Sequence, residues 1–177
     1  MSTETLSYTI ALARPSDMSY LPGIELAAAR LFEGYASESL LTQTTSEESL
    51  RRGQRNGLLW VALADDVPVG FALVDLIESG SAHLDELDVH TDHMRHGLGS
   101  SLVMTVCRWA ARQGYGAVTL NTSRDVSWNM PFYMRLGFEE VPPEEWSRAV
   151  RRVFEAETAR GLDATRRLVM RRTLSTR

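Results

Sequence analysis

The sequence holds one cysteine, Cys107, so no disulfide can close within the chain. A fold stapled by disulfides is excluded, and a reducing cytoplasm is the expected location. Runs of roughly eighteen or more apolar residues are absent, which argues against a membrane-spanning helix. Met1 to Ile10 lack the charged-then-apolar pattern of a secretory signal, so none is expected. Low-complexity tracts and internal repeats are also missing. Positive charge is not in excess: 19 basic residues stand against 23 acidic ones, a net charge of −4. Nucleic acid and anionic membranes are therefore not the expected partners.

What is present suffices for a sizeable core. The chain has 177 residues, 44% of them hydrophobic, which fits one domain over residues 1–177. Tyr8 to Ala13 reads as a first strand, broken by Arg14-Pro15-Ser16-Asp17. Ile24, Ala27, Ala28 and Leu31 recur at helical spacing. Thr45 and Glu48 have the spacing of a capping box, opening a helix through Arg55 that Gly57 closes. Leu58–Ala64 and Val67–Leu76, separated by Asp65-Asp66, form an expected hairpin, with a further strand over His83–Val89. Leu98, Leu102, Val106 and Trp109/Ala110 stripe a long helix from Gly97 to Gln113. After it come a strand (Ala117–Thr122), a helix (Val126–Arg135), a short strand (Phe138–Val141), a helix around Trp146 to Phe154, and a last strand (Arg167–Arg171). The order β-α-α-β-β-β-α-β-α-β-α-β implies an α/β (α+β) domain with a mixed sheet and helices on both faces.

The segment Val89 to Leu102 carries the most chemical information. A strand runs into a loop with Gly97 and Gly99, and the loop opens the long helix. The first turn of a helix presents unpaired N–H groups and the positive end of its dipole, glycine allows close approach, and Ser100 and Ser101 add hydroxyls. A pyrophosphate suits such a seat. On the loop alone, an ordinary strand-to-helix turn explains the glycines equally well. A Walker loop does not fit, because no Gly-Lys-Ser/Thr follows. The dinucleotide fingerprint is incomplete, with Leu102 at its third glycine position.

Two segments together resemble a known family. Val89–Leu102 is similar to motif A of the GNAT N-acetyltransferases, and Asn129–Glu139, with its Phe132-Tyr133 and Gly137-Phe138, is similar to motif B. Val69-Gly70-Phe71 and Arg14-Pro15-Ser16-Asp17 also resemble the family's early strands, so the likeness covers roughly Tyr8 to Val141. Met94 stands where the family usually has Gln or Arg. The resemblance implies a mostly antiparallel sheet whose fourth and fifth strands splay apart, with the pantetheine arm of acetyl-CoA between them. It implies a cofactor site of Leu87, Val89, Met94, Arg95, His96, Gly97, Gly99, Ser100, Asn129 and Phe132, and no metal. It further implies direct transfer of acetyl from acetyl-CoA, as cosubstrate, to a primary amine. The expected acceptor is a small molecule. A protein or peptide amine and a non-catalytic acyl-CoA sensor are the alternatives, and a homodimer would be in keeping with the family.

Within that frame Tyr133 matches the tyrosine that protonates the departing thiolate, the alternative being an aromatic that only packs. Glu86 and Asp85 are the candidate bases, Glu86 ranking first. Strand alternation sends adjacent acids to opposite faces, so only one should face the cleft unless a bulge intervenes. Both could instead attract a cation or face water. Asn121 cannot be a base but can position water or substrate. Phe32 and Tyr35 are candidates for the acceptor pocket. His83, His90, His93 and His96 fall within a short stretch, but no regular element arranges them as zinc ligands. His83 is an alternative base, and Cys107 reads as a small core residue.

Overall fold

The computed structural model describes residues 6–175. Seven strands form one sheet in the order β1-β2-β3-β4-β5-β7-β6. They are β1 (Tyr8–Leu12), β2 (Leu59–Ala64), β3 (Val67–Asp75), β4 (Ser81–Val89), β5 (Ala117–Ser123), β6 (Glu139–Val141) and β7 (Arg167–Thr173). Six helices accompany them: α1 (Leu21–Ala29), α2 (Glu38–Leu41), α3 (Glu47–Arg55), α4 (Leu98–Arg112), α5 (Asn129–Arg135) and α6 (Arg148–Ala159). The one-turn α2 is absent from the sequence reading, and α5 starts three residues later than its apolar pattern suggested.

Alternation along the strands builds two apolar layers. Trp60, Ala62, Ala72 and Val74 pack with Leu102, Val106 and Ala110 of α4. Leu59, Val61, Phe71 and Leu73 point the other way, onto Leu21 and Ile24 of α1 and Leu50 of α3. A third cluster sets Val150 and Phe154 of α6 against Val141 and Val169. Cys107 is buried in the first layer, as its helical position suggested, and burial raises its thiol pKa to about 11. The Asp65-Asp66 hairpin exists, with both residues at positive φ. The strain this implies for aspartate is offset locally: the Asp65 carboxylate accepts from the Ser7 N–H at 2.9 Å, and Asp66 pairs with Arg14 at 3.0 Å.

The expected cap of α3 is displaced by one residue. Ser46 is the N-cap, its hydroxyl accepting from the Ser49 N–H at 3.2 Å. Thr45 is turned to Glu25 instead, its N–H and Oγ1–H both donating to that carboxylate, at 2.9 and 3.1 Å.

Two irregularities position the site. β4 and β5 are parallel and pair only over Ser81–Leu84 and Ala117–Leu120. Beyond Leu84 the strands part, leaving one edge of β4 open. In the same stretch β4 bulges against β3: Leu73 pairs with Glu86 while Val74 pairs with Leu84, so Asp85 is the extra residue.

Candidate active site at the splay of β4 and β5

The bulge resolves the question of which acid faces the cleft. Leu84 packs in the α4-side core, and Leu87 and Val89 pack against it, so Glu86 and Asp88 take the other face. The extra residue, Asp85, joins them. Asp85, Glu86 and Asp88 all line a cleft of about 510 Å³ at the splay, with Asn121 of β5, Asn129 and Tyr133 of α5, and Phe32. Plain alternation would have separated the adjacent pair.

Glu25 is the residue that sequence reading missed. It enters the cleft from α1, and its carboxylate oxygen lies within 4.8 Å of those of Glu86 and Asp88. The buried face of α1 carries Leu21, Ile24 and Ala28. Glu25 sits on that face, four residues after Leu21, where a lone carboxylate is the readable signal of a polar role. These three acids form the one group of potential metal ligands among the described residues.

Crowding and burial raise these carboxyls above their ordinary pKa values. Burial and then the charge of Asp88 push Glu86 well up. Burial and then Glu25 push Asp88 up, while the neighbouring Glu86 side chain acts to lower it. Glu25 is raised by burial, against the two Thr45 donors. Asp85 rises to about 6, from burial first and then Asp75 and Glu157. Like charges this close do not all ionise together, so Glu86 and Asp88 titrate as a pair. Tyr133 is held above the usual phenol range, by burial first and then by Glu86 and Asp88. It therefore stays protonated, as a proton donor must. Both amide atoms of Asn121 are buried without a protein partner.

The open edge of β4 supplies backbone groups. The His90 N–H donates to Val69 on β3 at 2.8 Å, so alternate residues Asp88 and Glu86 also turn their N–H groups to β3. Leu87 and Val89 consequently turn theirs into the splay. At the end of β4, Gly97 holds the N-cap position of the 15-residue α4 at φ +73°, with no side chain capping the first turn. Arg95 is also at positive φ, and Met94 is exposed. A Cβ on Gly99 would stand 3.4 Å from the Phe132 ring, which covers the loop. Uncapped N–H groups at a left-handed turn form an anion site.

The other histidines have structural partners. His83 is buried, its Nδ1 hydrogen-bonded to Thr119 Oγ1 at 2.9 Å, and burial lowers its pKa. His93 Nδ1 meets the Tyr8 hydroxyl at 3.1 Å, and the His96 ring packs on Tyr8 at 4.9 Å, tying the loop to β1. Tyr35 lies outside the acidic cleft. It lines a neighbouring groove and meets Trp128 edge-on at 5.7 Å, whereas Phe32 borders both spaces.

This fold and loop are those of a known family. The pattern that describes the Acetyltransferase (GNAT) family matches residues 26–138, and the chain belongs to that family. It is 29% identical over 147 residues to human N-acetyltransferase 8, covering 78% of this chain and 65% of that protein's length. In fold it resembles the PaiA N-acetyltransferase of Thermoplasma acidophilum, solved with coenzyme A. The TM-score is 0.73 at 20% identity, over 94% of this chain and 99% of the other. A GNAT-family acetyltransferase of Staphylococcus aureus gives 0.71 at 16% identity, over 96% of this chain and 100% of that one.

Proposed function

We propose that the protein transfers the acetyl group of acetyl-CoA to a primary amine, held by a small molecule, in the cleft between β4 and β5. The observation that carries this reading is the convergence of Glu86, Asp88 and Tyr133 at an open strand edge beside an uncapped helix. Family membership and the coenzyme A complex of the PaiA relative support the donor. A cleft of about 510 Å³ has the volume of a small-ligand site.

The chain's parts divide the work. The N–H groups opening α4 hold the pyrophosphate, with Gly97 and Gly99 leaving room for it. The backbone of Leu87 and Val89 pairs the pantetheine arm, and a free N–H there faces the negative charge that grows on the thioester oxygen. The Glu86–Asp88 pair removes a proton from the ammonium form of the acceptor, and the free amine attacks the thioester carbon. A C–N bond forms, the C–S bond breaks, and the Tyr133 hydroxyl gives its proton to the departing sulfur. The nitrogen of the adduct loses its second proton to water as the amide forms, and the proton taken by the acid pair returns to Tyr133, so the cycle closes with one proton released. Asn121, with its amide unpaired, orients the acceptor.

Thiol release from acetyl-CoA over a panel of amines and peptides tests this reading. The chain contains no lysine, all 19 basic residues being arginine, so acetylation of its own side-chain amines adds no background. Amine-dependent thiol release is the expected result. Binding of acetyl-CoA with no transfer to any amine would replace the enzyme with a sensor.

A further inference from the structure

The cleft is charged unevenly, and amine activation uses only one of its sides. Glu25, Asp85, Glu86 and Asp88 line the part formed by α1 and β4. The two cationic side chains of the lining, Arg160 and Arg167, come from the end of α6 and the start of β7, on the β5–β7 side of the splay. Arg167 gives one terminal nitrogen to Glu157 at 2.7 Å, while its Nε–H is buried with no acceptor. Arg160 is exposed and, among the described residues, has neither an ion-pair nor a side-chain hydrogen-bond partner.

Buried N–H groups without acceptors are rare in folded proteins. Arg167 lines the cleft and its hydrogen-bonding capacity is only partly used, so its guanidinium can take an acceptor that arrives with the ligand. Glu157 engages Arg167, whereas Arg160 has no ion-pair partner among the described residues, so this side of the cleft can take an anionic group. The two sides are also near each other: Arg160 draws the Asp85 pKa down, and Arg167 does the same to Tyr133. One small molecule can therefore span them. Phe32, Leu40 and Leu162 add apolar surface to the same cleft.

We infer that the acceptor is a zwitterionic amine of the amino-acid type, whose carboxylate is bound by Arg160 and Arg167 while its amino group lies against Glu86 and Asp88. Arg160 and Arg167 are then specificity residues, and an amine that lacks the carboxylate is a poorer acceptor. This inference rests on the amine-acetylation reading above and narrows its substrate class.

The experiment compares matched amines with the full chain and acetyl-CoA: phenylalanine against phenethylamine, and free lysine against 1,5-diaminopentane. Each pair differs only by the carboxylate. A peptide with a free N-terminus completes the set. The carboxylate-bearing member should show at least about a tenfold higher kcat/KM, on the scale of one charge-assisted contact. Arg160→Gln, at an exposed position, should raise the KM of that member about tenfold and leave the KM for acetyl-CoA unchanged, with Arg160→Lys recovering part of the loss. Equal or better use of the decarboxylated amines, or a preference that survives both Arg160→Gln and Arg167→Gln, would overturn the inference. So would transfer to the peptide alone, which leaves acetyl transfer standing. Transfer to no amine at all would overturn the underlying reading as well.

Discussion

The carboxylates of Glu86 and Asp88, two residues apart on one face of β4, bring oxygens within 4.8 Å of each other. Glu25 reaches the same point from α1. This closeness couples the titration of the two acids, and under the proposed function it sets the expected pH behaviour.

The first prediction concerns the acid limb of the rate profile. A base works only above its pKa, so kcat/KM should rise with pH through the raised pKa of the pair. Asp88→Asn removes the neighbouring charge that lifts Glu86, leaving burial and Glu25. The acid limb should move to lower pH, by about one unit. A pH profile of wild type and variant measures it, and an unmoved limb would remove Asp88 from the base.

Stability should carry the same signature with the opposite dependence. Asp85 is raised from 3.8 to about 6 and Asp88 from 3.8 to about 8. Between those values the folded state holds protons that the unfolded chain has released, so these groups make stability fall as pH rises from about 4 to about 8. Glu86→Gln thins the like-charge cluster. It should raise Tm near pH 8 and change it little near pH 4. A loss of Tm equal at both pH values would contradict the account.

The phosphate seat is tested at Gly97. Its φ of +73° is unfavourable for a β-branched residue. Gly97→Val should distort the start of α4 and weaken acetyl-CoA binding at least about tenfold by calorimetry. Unchanged binding by the folded variant would place the pyrophosphate elsewhere.

Much of the fold could be read locally. The stripe of Leu98, Leu102 and Val106, opening between Gly97 and Gly99, marks α4 and its uncapped start, and Asp65-Asp66 marks the hairpin. The site was less legible where it depends on long-range pairing. Nothing in Leu84-Asp85-Glu86 announces a bulge, because the extra residue exists only relative to Leu73 and Val74 on another strand. Glu25 meets acids more than sixty positions away. The cap of α3 differs for the same reason: Thr45 and Ser46 are equivalent candidates until Thr45 is turned to the distant Glu25 and Ser46 accepts from Ser49. Arg160 and Arg167 gave no local signal, since only the closure of the sheet by β7 brings them to the cleft.

The central claim is that acetyl transfer from coenzyme A occurs at the acids and tyrosine of this cleft. The most direct measurement pairs acetyl-CoA affinity by calorimetry with amine-dependent turnover for wild type, Glu86→Gln and Tyr133→Phe. The account predicts that both variants bind acetyl-CoA like wild type while kcat/KM falls about a hundredfold, the usual scale of general acid–base catalysis. Variants that turn over like wild type, or that lose acetyl-CoA affinity in step with turnover, would contradict it.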